Sequence, residues 1–226
     1  MDPVILNDIP FQPTPEDIQH VLDTQLGRRS ADAFQEFIVE AREIAKPKAI
    51  YRLCYVDEKG EDFVIIEGVK FQSKILRFNL EDVHRVFFYV ATCGSELNDW
   101  KKSKEGPLDE YYADAVNGMA LQAARDYMVA HIEEQYGFEK TSSMAPGSLE
   151  DWPIYAQRSL FSLLGDTEEA IGVQLMDSLL MEPNQSVSGV RFPSESTFES
   201  CQLCPRKVCP NRKAEFDAKL YAERFS

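Results

Sequence analysis

Residues 86–91 read Val-Phe-Phe-Tyr-Val-Ala, an uninterrupted apolar run with the length of a β-strand. A strand without polar alternation is typical of the middle of a sheet, where both of its faces are buried. Residues 92–94, Thr-Cys-Gly, follow the run and predict a turn. The stretch therefore predicts a sheet with this strand at its centre.

Hairpin signals on both sides of this strand indicate how the sheet is connected. Residues 49–56 alternate loosely, residues 58–61 (Glu-Lys-Gly-Glu) predict a turn, and residues 63–66 predict the partner strand. Residues 187–192 predict a last strand. Because such spacing is typical of antiparallel pairing, we predict an α+β fold with an antiparallel or mixed central sheet packed by helices, and not a parallel doubly wound sheet.

The longest predicted element is a helix over residues 108–136, with Gly137 at its end. Its apolar positions predict the inward face Tyr112, Ala115, Val116, Met119, Ala120, Ala123, Tyr127 and Ile132. Other helices are predicted over residues 14–26, 30–45, 152–164, 167–171 and 213–224.

Composition narrows the classes of function. The 226-residue chain carries a formal net charge of −14 and a pI near 4.7, which opposes non-specific binding to DNA, RNA or anionic membranes. No apolar run approaches the ~20 residues that cross a bilayer. Residues 1–4 include no basic region followed by an apolar stretch, so we expect no signal peptide. Five cysteines, three of them within nine positions, are typical of a reducing compartment, so we expect a cytoplasmic protein.

Three blocks in the second half of the chain resemble one family in their order and spacing. They are Ala145-Pro146-Gly147, residues 171–183 (Ile-Gly-Val-Gln-Leu-Met-Asp-Ser, ending in Met-Glu-Pro) and Ser186-Val187-Ser188-Gly189. The activation domain of cobalamin-dependent methionine synthase is similar across all three blocks. Residues 92–94 and the long helix resemble small free-standing relatives of that domain. The resemblance divides the chain into an N-terminal helical segment (1–47), an activation-like core (48–198) and a cysteine-rich tail with a C-terminal helix (199–226).

The resemblance implies a site for S-adenosylmethionine and a partner that carries cobalamin, either a corrinoid-binding protein or other methionine synthase modules. Pro146-Gly147 permits a tight turn whose backbone can approach a ligand closely, and the serines of the third block alternate hydroxyl groups with an accessible backbone. The candidate ligand-binding residues are Ala145, Pro146, Gly147, Ser188, Gly189 and Phe198.

The loop departs from the family pattern at two positions, one of which holds an arginine that can pair with the ligand's carboxylate. The family loop reads Arg-x-x-Pro-Gly-Tyr, whereas this chain has Ser143 in place of the arginine and Ser148 in place of the tyrosine. Only Phe198 stands near the position where the family has two further tyrosines. Losing the charge-assisted contact between the family arginine and the ligand's carboxylate costs roughly 1.5–3 kcal/mol, or about tenfold to a hundredfold in affinity. We therefore expect S-adenosylmethionine to bind weakly or not at all.

Cys201, Cys204 and Cys209 form a C-x2-C-x4-C element followed by Pro210. A two-residue gap lets two thiolates converge on one ion, so the element predicts a zinc site completed by a fourth ligand, or an iron–sulfur cluster. The alternative is three reduced thiols on a surface loop. Cys54 and Cys93 are each expected to be small packed residues, and of the two Cys93 is the better candidate for a fourth ligand because a turn can expose it.

Three functions remain open from the sequence. The first is an accessory domain that supports reactivation or methylation of a corrinoid cofactor on a partner. The second is a metal-stabilised binding module that has lost S-adenosylmethionine binding, and the third is an iron–sulfur redox partner of a corrinoid protein. A Ser-His-Asp order, a phosphate-binding loop and a dinucleotide fingerprint are all missing from the sequence.

Overall fold

In the computed structural model, which describes residues 2–194, 200–205 and 214–225, strand β5 (Arg85–Thr92) is the centre of the sheet. It pairs antiparallel with β2 (Lys48–Lys59) on one side and with β9 (Ser186–Pro193) on the other. Every residue from Val86 to Thr92 is buried. The prediction of a doubly covered central strand is therefore confirmed.

Seven of the nine described strands form one antiparallel sheet in the order β4-β3-β2-β5-β9-β6, with β1 paired to the first part of β2. The additional strands are β1 (Val4–Leu6), β3 (Phe63–Ile66), β4 (Val69–Gln72) and β6 (Thr141–Met144). Strands β7 (Gln174–Leu175) and β8 (Met181–Glu182) form a separate small hairpin. This arrangement confirms the predicted α+β fold.

Eight α-helices lie in the described part of the chain. They are α1 (Pro15–Val21), α2 (Ala31–Ile44), α3 (Lys74–Asn79), α4 (Ser95–Lys102), α5 (Pro107–Tyr136), α6 (Gln157–Leu164), α7 (Thr167–Ile171) and α8 (Ala218–Phe225). A π-helical turn (Leu22–Leu26) and 3₁₀ turns (Arg28–Ser30, Ile154–Ala156 and Ser200–Leu203) complete them. None of the described helices combines the length and apolar composition needed to cross a bilayer.

The two faces of β5 belong to two different buried clusters. Val86, Phe88 and Val90 face α6 and α7, in a cluster that also contains Trp152 and Leu160. The alternate residues Phe87, Tyr89 and Ala91 face α5, in a cluster with residues of β2 and of the second half of that helix. A third cluster joins α1, α2, α4 and the first half of α5.

The long helix α5 serves two of these clusters in succession. Its first half packs against α2 and α4 through residues such as Ala113 and Ala120, and its second half packs on the sheet through Ala124, Met128 and Ile132. The prediction that Tyr127 lies on the inward face is wrong, because its side chain is 42% exposed. The buried stripe continues in steps of four residues because the helix passes from a helical neighbour to the sheet.

The helix predicted over residues 152–164 begins later than expected. Trp152 lies in a loop, Ile154–Ala156 forms a 3₁₀ turn, and α6 starts only at Gln157. Pro153 lies in extended backbone, which is unsuited to a helix interior. The division of the chain at residues 47 and 198 stays a prediction, although β1 and α2 pack on elements of the core.

Replacing Ala120 by Leu tests the close packing between α5 and its helical neighbours. Ala120 is fully buried, whereas Ala130 lies exposed on the same helix. We expect Ala120→Leu to lower the free energy of unfolding by about 1–3 kcal/mol through overpacking, and Ala130→Leu to change it by less than about 0.5 kcal/mol. Urea denaturation measures both, and equal effects would contradict the described packing.

Candidate functional site

The Ala-Pro-Gly loop (residues 145–147) follows β6 directly and turns back on itself. The N–H of Gly147 donates to the carbonyl of Trp152 at 2.7 Å, and Gly147 has a φ of 80° that favours glycine. The Ser148 hydroxyl donates to the Ala145 carbonyl at 2.6 Å. Pro146 is buried and Gly147 is exposed, so the loop presents its glycine backbone to solvent.

Two residues after the loop attach it to the rest of the protein. The Trp152 side chain is fully buried and contacts Phe71 edge to face. The Asp151 carboxylate accepts hydrogen bonds from the Ser73 hydroxyl and from the N–H groups of Lys74 and Ile75, at the start of α3. A carboxylate at a helix N-terminus satisfies N–H groups that otherwise lack partners. The loop is thereby fixed to β4 and α3.

Ser188 is buried on the face of the sheet that α6 covers. The Gln157 side chain, at the first position of α6, donates through Nε2 to the Ser188 Oγ at 3.0 Å. The other amide atom of Gln157, Oε1, is buried and has no hydrogen-bond partner within the described part of the protein. This carbonyl oxygen is an acceptor whose desolvation is not compensated, so it suits an N–H or O–H donor of a ligand.

Gly189 faces the opposite side of the sheet, towards α5. It pairs with Tyr89 of β5, and a Cβ at position 189 would lie 2.6 Å from the Met144 carbonyl oxygen and 2.8 Å from the Tyr89 hydroxyl oxygen. Glycine at this position therefore permits β9, β5 and the end of β6 to lie close together.

The start of α6 brings two of the predicted segments together. Gly147 packs against Ile154, because a Cβ at position 147 would lie 2.9 Å from the Ile154 Cδ1 atom, and Ser188 bonds to Gln157 one turn later. We call the Ala-Pro-Gly loop, Ser188 and Gln157, each of which lies beside the start of α6, the α6 site. Gly189 borders it across the sheet, and Phe198 lies outside the described residues.

An arginine lies on the strand next to Ser143, the residue that stands in place of the family arginine. Ser143 pairs directly with Arg191 of β9, whose Nε donates to the Thr141 Oγ1 at 3.1 Å. A guanidinium is therefore present beside position 143, although it extends away from the Ala-Pro-Gly loop. Neither this pairing nor the contact between Gln157 and Ser188 could be read from the sequence, because both depend on strand register and helix placement.

Backbone groups, one hydroxyl and one amide make up the α6 site. Such groups bind and orient a ligand by hydrogen bonding, and within the described residues they include no pair of acid and base side chains. The arrangement accordingly favours a binding role over acid–base chemistry.

A cavity of about 470 Å³ lies next to the Ala-Pro-Gly loop. It is lined by Ser148, Leu149 and Glu150, which follow the loop, and by the tail residues Leu203, Cys204, Pro205 and Tyr221. The volume is in the range of ligand pockets, which is roughly 300–1,000 Å³.

The cysteine element is described only in part. Cys201 lies in the 3₁₀ turn Ser200–Leu203 and Cys204, half-buried, follows it, whereas the Cys201 side chain and the whole of Cys209 lie outside the described part. Among the side chains that are described, no three His, Cys, Asp or Glu residues are grouped as metal ligands. The predicted metal site thus stays a prediction.

Cys54 and Cys93 are both packed residues, as expected, and the alternative that a turn exposes Cys93 as a fourth ligand is wrong. The Cys93 side chain is fully buried in the helical cluster, while Cys204 packs against the cluster on the α6 face of the sheet. The residues after β5 turn inward because α4 begins immediately at Ser95 and covers them. Burial raises the pKa of the Cys93 thiol to about 12 and that of Cys54 to about 11.

The substitution Gly189→Ala tests the close approach of the three strands. We expect it to lower the free energy of unfolding by more than about 1 kcal/mol, because the Met144 carbonyl belongs to the backbone and cannot swing away. Gly118→Ala is the matched control, since nothing lies within 4 Å of a Cβ there and alanine favours the interior of α5 by about 0.5–1 kcal/mol. Thermal denaturation should show a lower melting temperature for Gly189→Ala and a higher one for Gly118→Ala. A higher melting temperature for both variants would refute the packing at Gly189.

Cysteine reactivity tests the burial of the thiols. In reduced, chelator-treated protein at pH 8, we expect a short iodoacetamide pulse to leave Cys54 and Cys93 unmodified, because only the thiolate reacts and burial disfavours it. Cys204, which is half-buried, should react faster than either. Peptide mass spectrometry reads each site, with denatured protein as the control. Rapid labelling of Cys93 in the folded protein would contradict the structure.

No family model and no curated protein matches the sequence. Among solved structures, the chain is similar to the crystal structure of the MetH reactivation domain bound to AdoHcy, with a TM-score of 0.62 and 15% sequence identity. The likeness covers 85% of this chain and 73% of that chain. The α+β architecture with its antiparallel sheet and long helix is therefore similar to the fold of the MetH reactivation domain.

Proposed function

We propose that this chain is an accessory domain that supports reactivation or methylation of a corrinoid cofactor carried by a partner protein. The observation that carries the proposal is the likeness in fold to the MetH reactivation domain, a domain of methionine synthase whose structure holds AdoHcy. The proposed partner is a corrinoid-binding protein or another methionine synthase module, with cobalamin as its cofactor. We place the protein in the cytoplasm.

The proposed ligand of the α6 site is S-adenosylmethionine or its product AdoHcy. The exposed backbone of Gly147 and the uncompensated Oε1 of Gln157 fit a ligand that carries N–H or O–H donors. When bound, S-adenosylmethionine supplies a methyl group, and this chain would hold and orient the donor. Ala145, Pro146, Gly147, Ser188, Gly189 and Phe198 are the proposed ligand-binding residues.

A second candidate is a binding module of the same fold that has lost the methyl donor. Two features favour it. Ser143 is too short to replace an arginine, and the Ser148 hydroxyl is engaged with the Ala145 carbonyl inside the loop. The nearest cation across the strand, Arg191, extends towards Thr141 and away from the loop. Retention of affinity for the ligand separates the two candidates.

Calorimetric titration with AdoHcy and with S-adenosylmethionine tests the proposal. We expect weak but measurable binding by the unmodified chain. Gln157→Leu should weaken AdoHcy binding by roughly threefold to tenfold, since one hydrogen bond of about 0.5–1.5 kcal/mol is lost. Gln122→Leu, on the exposed side of α5, is the control and should leave the affinity unchanged.

Two results of this titration would count against the accessory role. Absence of heat with both compounds would favour the binding module without a methyl donor. Equal affinity of the Gln157→Leu protein and the unmodified chain would place the ligand elsewhere on the molecule.

We further propose that Cys201, Cys204 and Cys209 hold zinc or an iron–sulfur cluster. The compact thiol spacing in the sequence supports this, and three thiolates suit either centre. With zinc the element would be structural, whereas with a cluster the chain would be a candidate redox partner of a corrinoid protein. The visible absorption spectrum of anaerobically purified protein distinguishes the two centres, because a zinc–thiolate site is colourless and an iron–sulfur cluster absorbs visible light.

A further inference from the structure

The amide of Gln157 and the hydroxyl of Ser188 form a buried polar pair between α6 and β9. The two residues are 4% and 3% exposed, and the Gln157 Nε2 donates to the Ser188 Oγ at 3.0 Å. This bond uses one hydrogen of the amide and one lone pair of the hydroxyl. Within the described part of the chain, the Gln157 Oε1 has no donor and no hydrogen bond uses the Ser188 hydroxyl hydrogen. An unused acceptor and an unused donor therefore lie side by side.

The surroundings of the pair are apolar. Ser188 lies opposite Val90 of β5, and Leu160, three residues after Gln157 on the same face of α6, is fully buried. Val90 and Leu160 belong to one buried cluster. An ion that entered these surroundings would lose its hydration at great cost, whereas a flat aromatic group would lose little. Of the parts of an S-adenosyl ligand, the purine base therefore fits the pair better than the charged amino-acid part.

Position 6 of a purine carries a hydrogen-bonding group that complements the pair. Adenine has an amino group there beside a ring nitrogen, so the amino group can donate to the Gln157 Oε1 while the ring nitrogen accepts from the Ser188 hydroxyl. The pair can also reverse its polarity, because an amide that turns over exchanges its oxygen and nitrogen, and a hydroxyl either donates or accepts. A 6-oxo group beside a ring N–H is then complemented equally well.

Ile154 connects the pair to the Ala-Pro-Gly loop. It lies three residues before Gln157, so the two side chains share one side of the turn that leads into α6. Ile154 also lies against Gly147 and is 43% exposed. A side chain with that exposure can turn outward and admit a flat base between the loop and the pair.

We propose that Gln157 and Ser188 recognise the ligand's purine base at position 6, and that they accept an amino or an oxo group there but disfavour a base that carries only hydrogen. The inference rests on the proposed function, because it names the part of the S-adenosyl ligand that these residues of the α6 site bind. Its consequence is a tolerant specificity, in which deamination of adenine to hypoxanthine is accepted and loss of the 6-substituent is not.

Calorimetric titration with three nucleosides, in parallel with AdoHcy, tests the proposal. The nucleosides are adenosine, inosine and purine riboside, which has hydrogen at position 6. For the unmodified chain we expect adenosine and inosine to bind within about threefold of each other, because both make the same number of hydrogen bonds to the pair. Purine riboside should bind about threefold to tenfold more weakly, since one of these bonds is missing.

Two substitutions at Gln157 separate base recognition from a general loss of affinity. Gln157→Leu cannot bond to the 6-substituent, so adenosine and purine riboside should bind to it equally well. Gln157→Glu, titrated at pH 8, should retain adenosine and bind inosine about tenfold or more weakly, because the carboxylate and the 6-oxo group are both acceptors. Gln122→Leu and Gln122→Glu, on the exposed side of α5, are the matched controls and should behave like the unmodified chain.

The possible contradictions can be told apart. Purine riboside that binds to the unmodified chain as tightly as adenosine overturns the base recognition, while heat with AdoHcy in the same series leaves the proposed function intact. Heat with AdoHcy and with none of the nucleosides overturns the inference in the same way, because the amino-acid part then carries the affinity. Inosine that binds more than about tenfold more weakly than adenosine overturns the reversible polarity of the pair. Absence of heat with all four compounds overturns both the inference and the proposed function.

Discussion

Burial of β5 on both faces is the constraint on which the rest of the structure depends. All residues from Val86 to Thr92 are buried, so each face of this strand requires a layer of helices. The helix α5 covers one face, and α6 with α7 covers the other. Because β9 pairs with β5 along its central residues, any ligand-binding residue on β9 is positioned by this doubly covered strand.

The position of the candidate site depends on how the segment between β6 and α6 is attached to the rest of the fold. Trp152 fills the space between the sheet and α3, and Asp151 bonds to the start of that helix. The chain between β6 and α6 is therefore held at its middle, which fixes Gly147 on one side and Gln157 on the other. Removing an aromatic side chain of this kind from a core costs about 3–5 kcal/mol, so the geometry of the loop is tied to the stability of the fold.

Sequence patterns predicted those features that local chemistry determines. The apolar run of β5, the hairpin from β2 to β3 and the glycine that ends α5 all depend on neighbouring residues, and each agrees with the structure. The position of Ser188 beside Gln157, and of Ser143 opposite Arg191, depends on strand register and on packing of distant segments. Periodicity carries no information of that kind, which also explains why exposure of Cys93 by its turn stayed open as an alternative.

Two of the segments that carry the motif resemblance, the Ala-Pro-Gly loop and the segment with Ser188, lie beside the start of α6, in a fold that is similar to the MetH reactivation domain. The central claim is that an S-adenosyl ligand binds at these residues. The most direct test is two-dimensional amide NMR of the isotopically labelled chain titrated with AdoHcy. The account predicts that the largest shifts occur at Gly147, Gln157 and Ser188, with none at Gly118 on α5. Shifts confined to residues remote from the start of α6, or none at saturating AdoHcy, would contradict it.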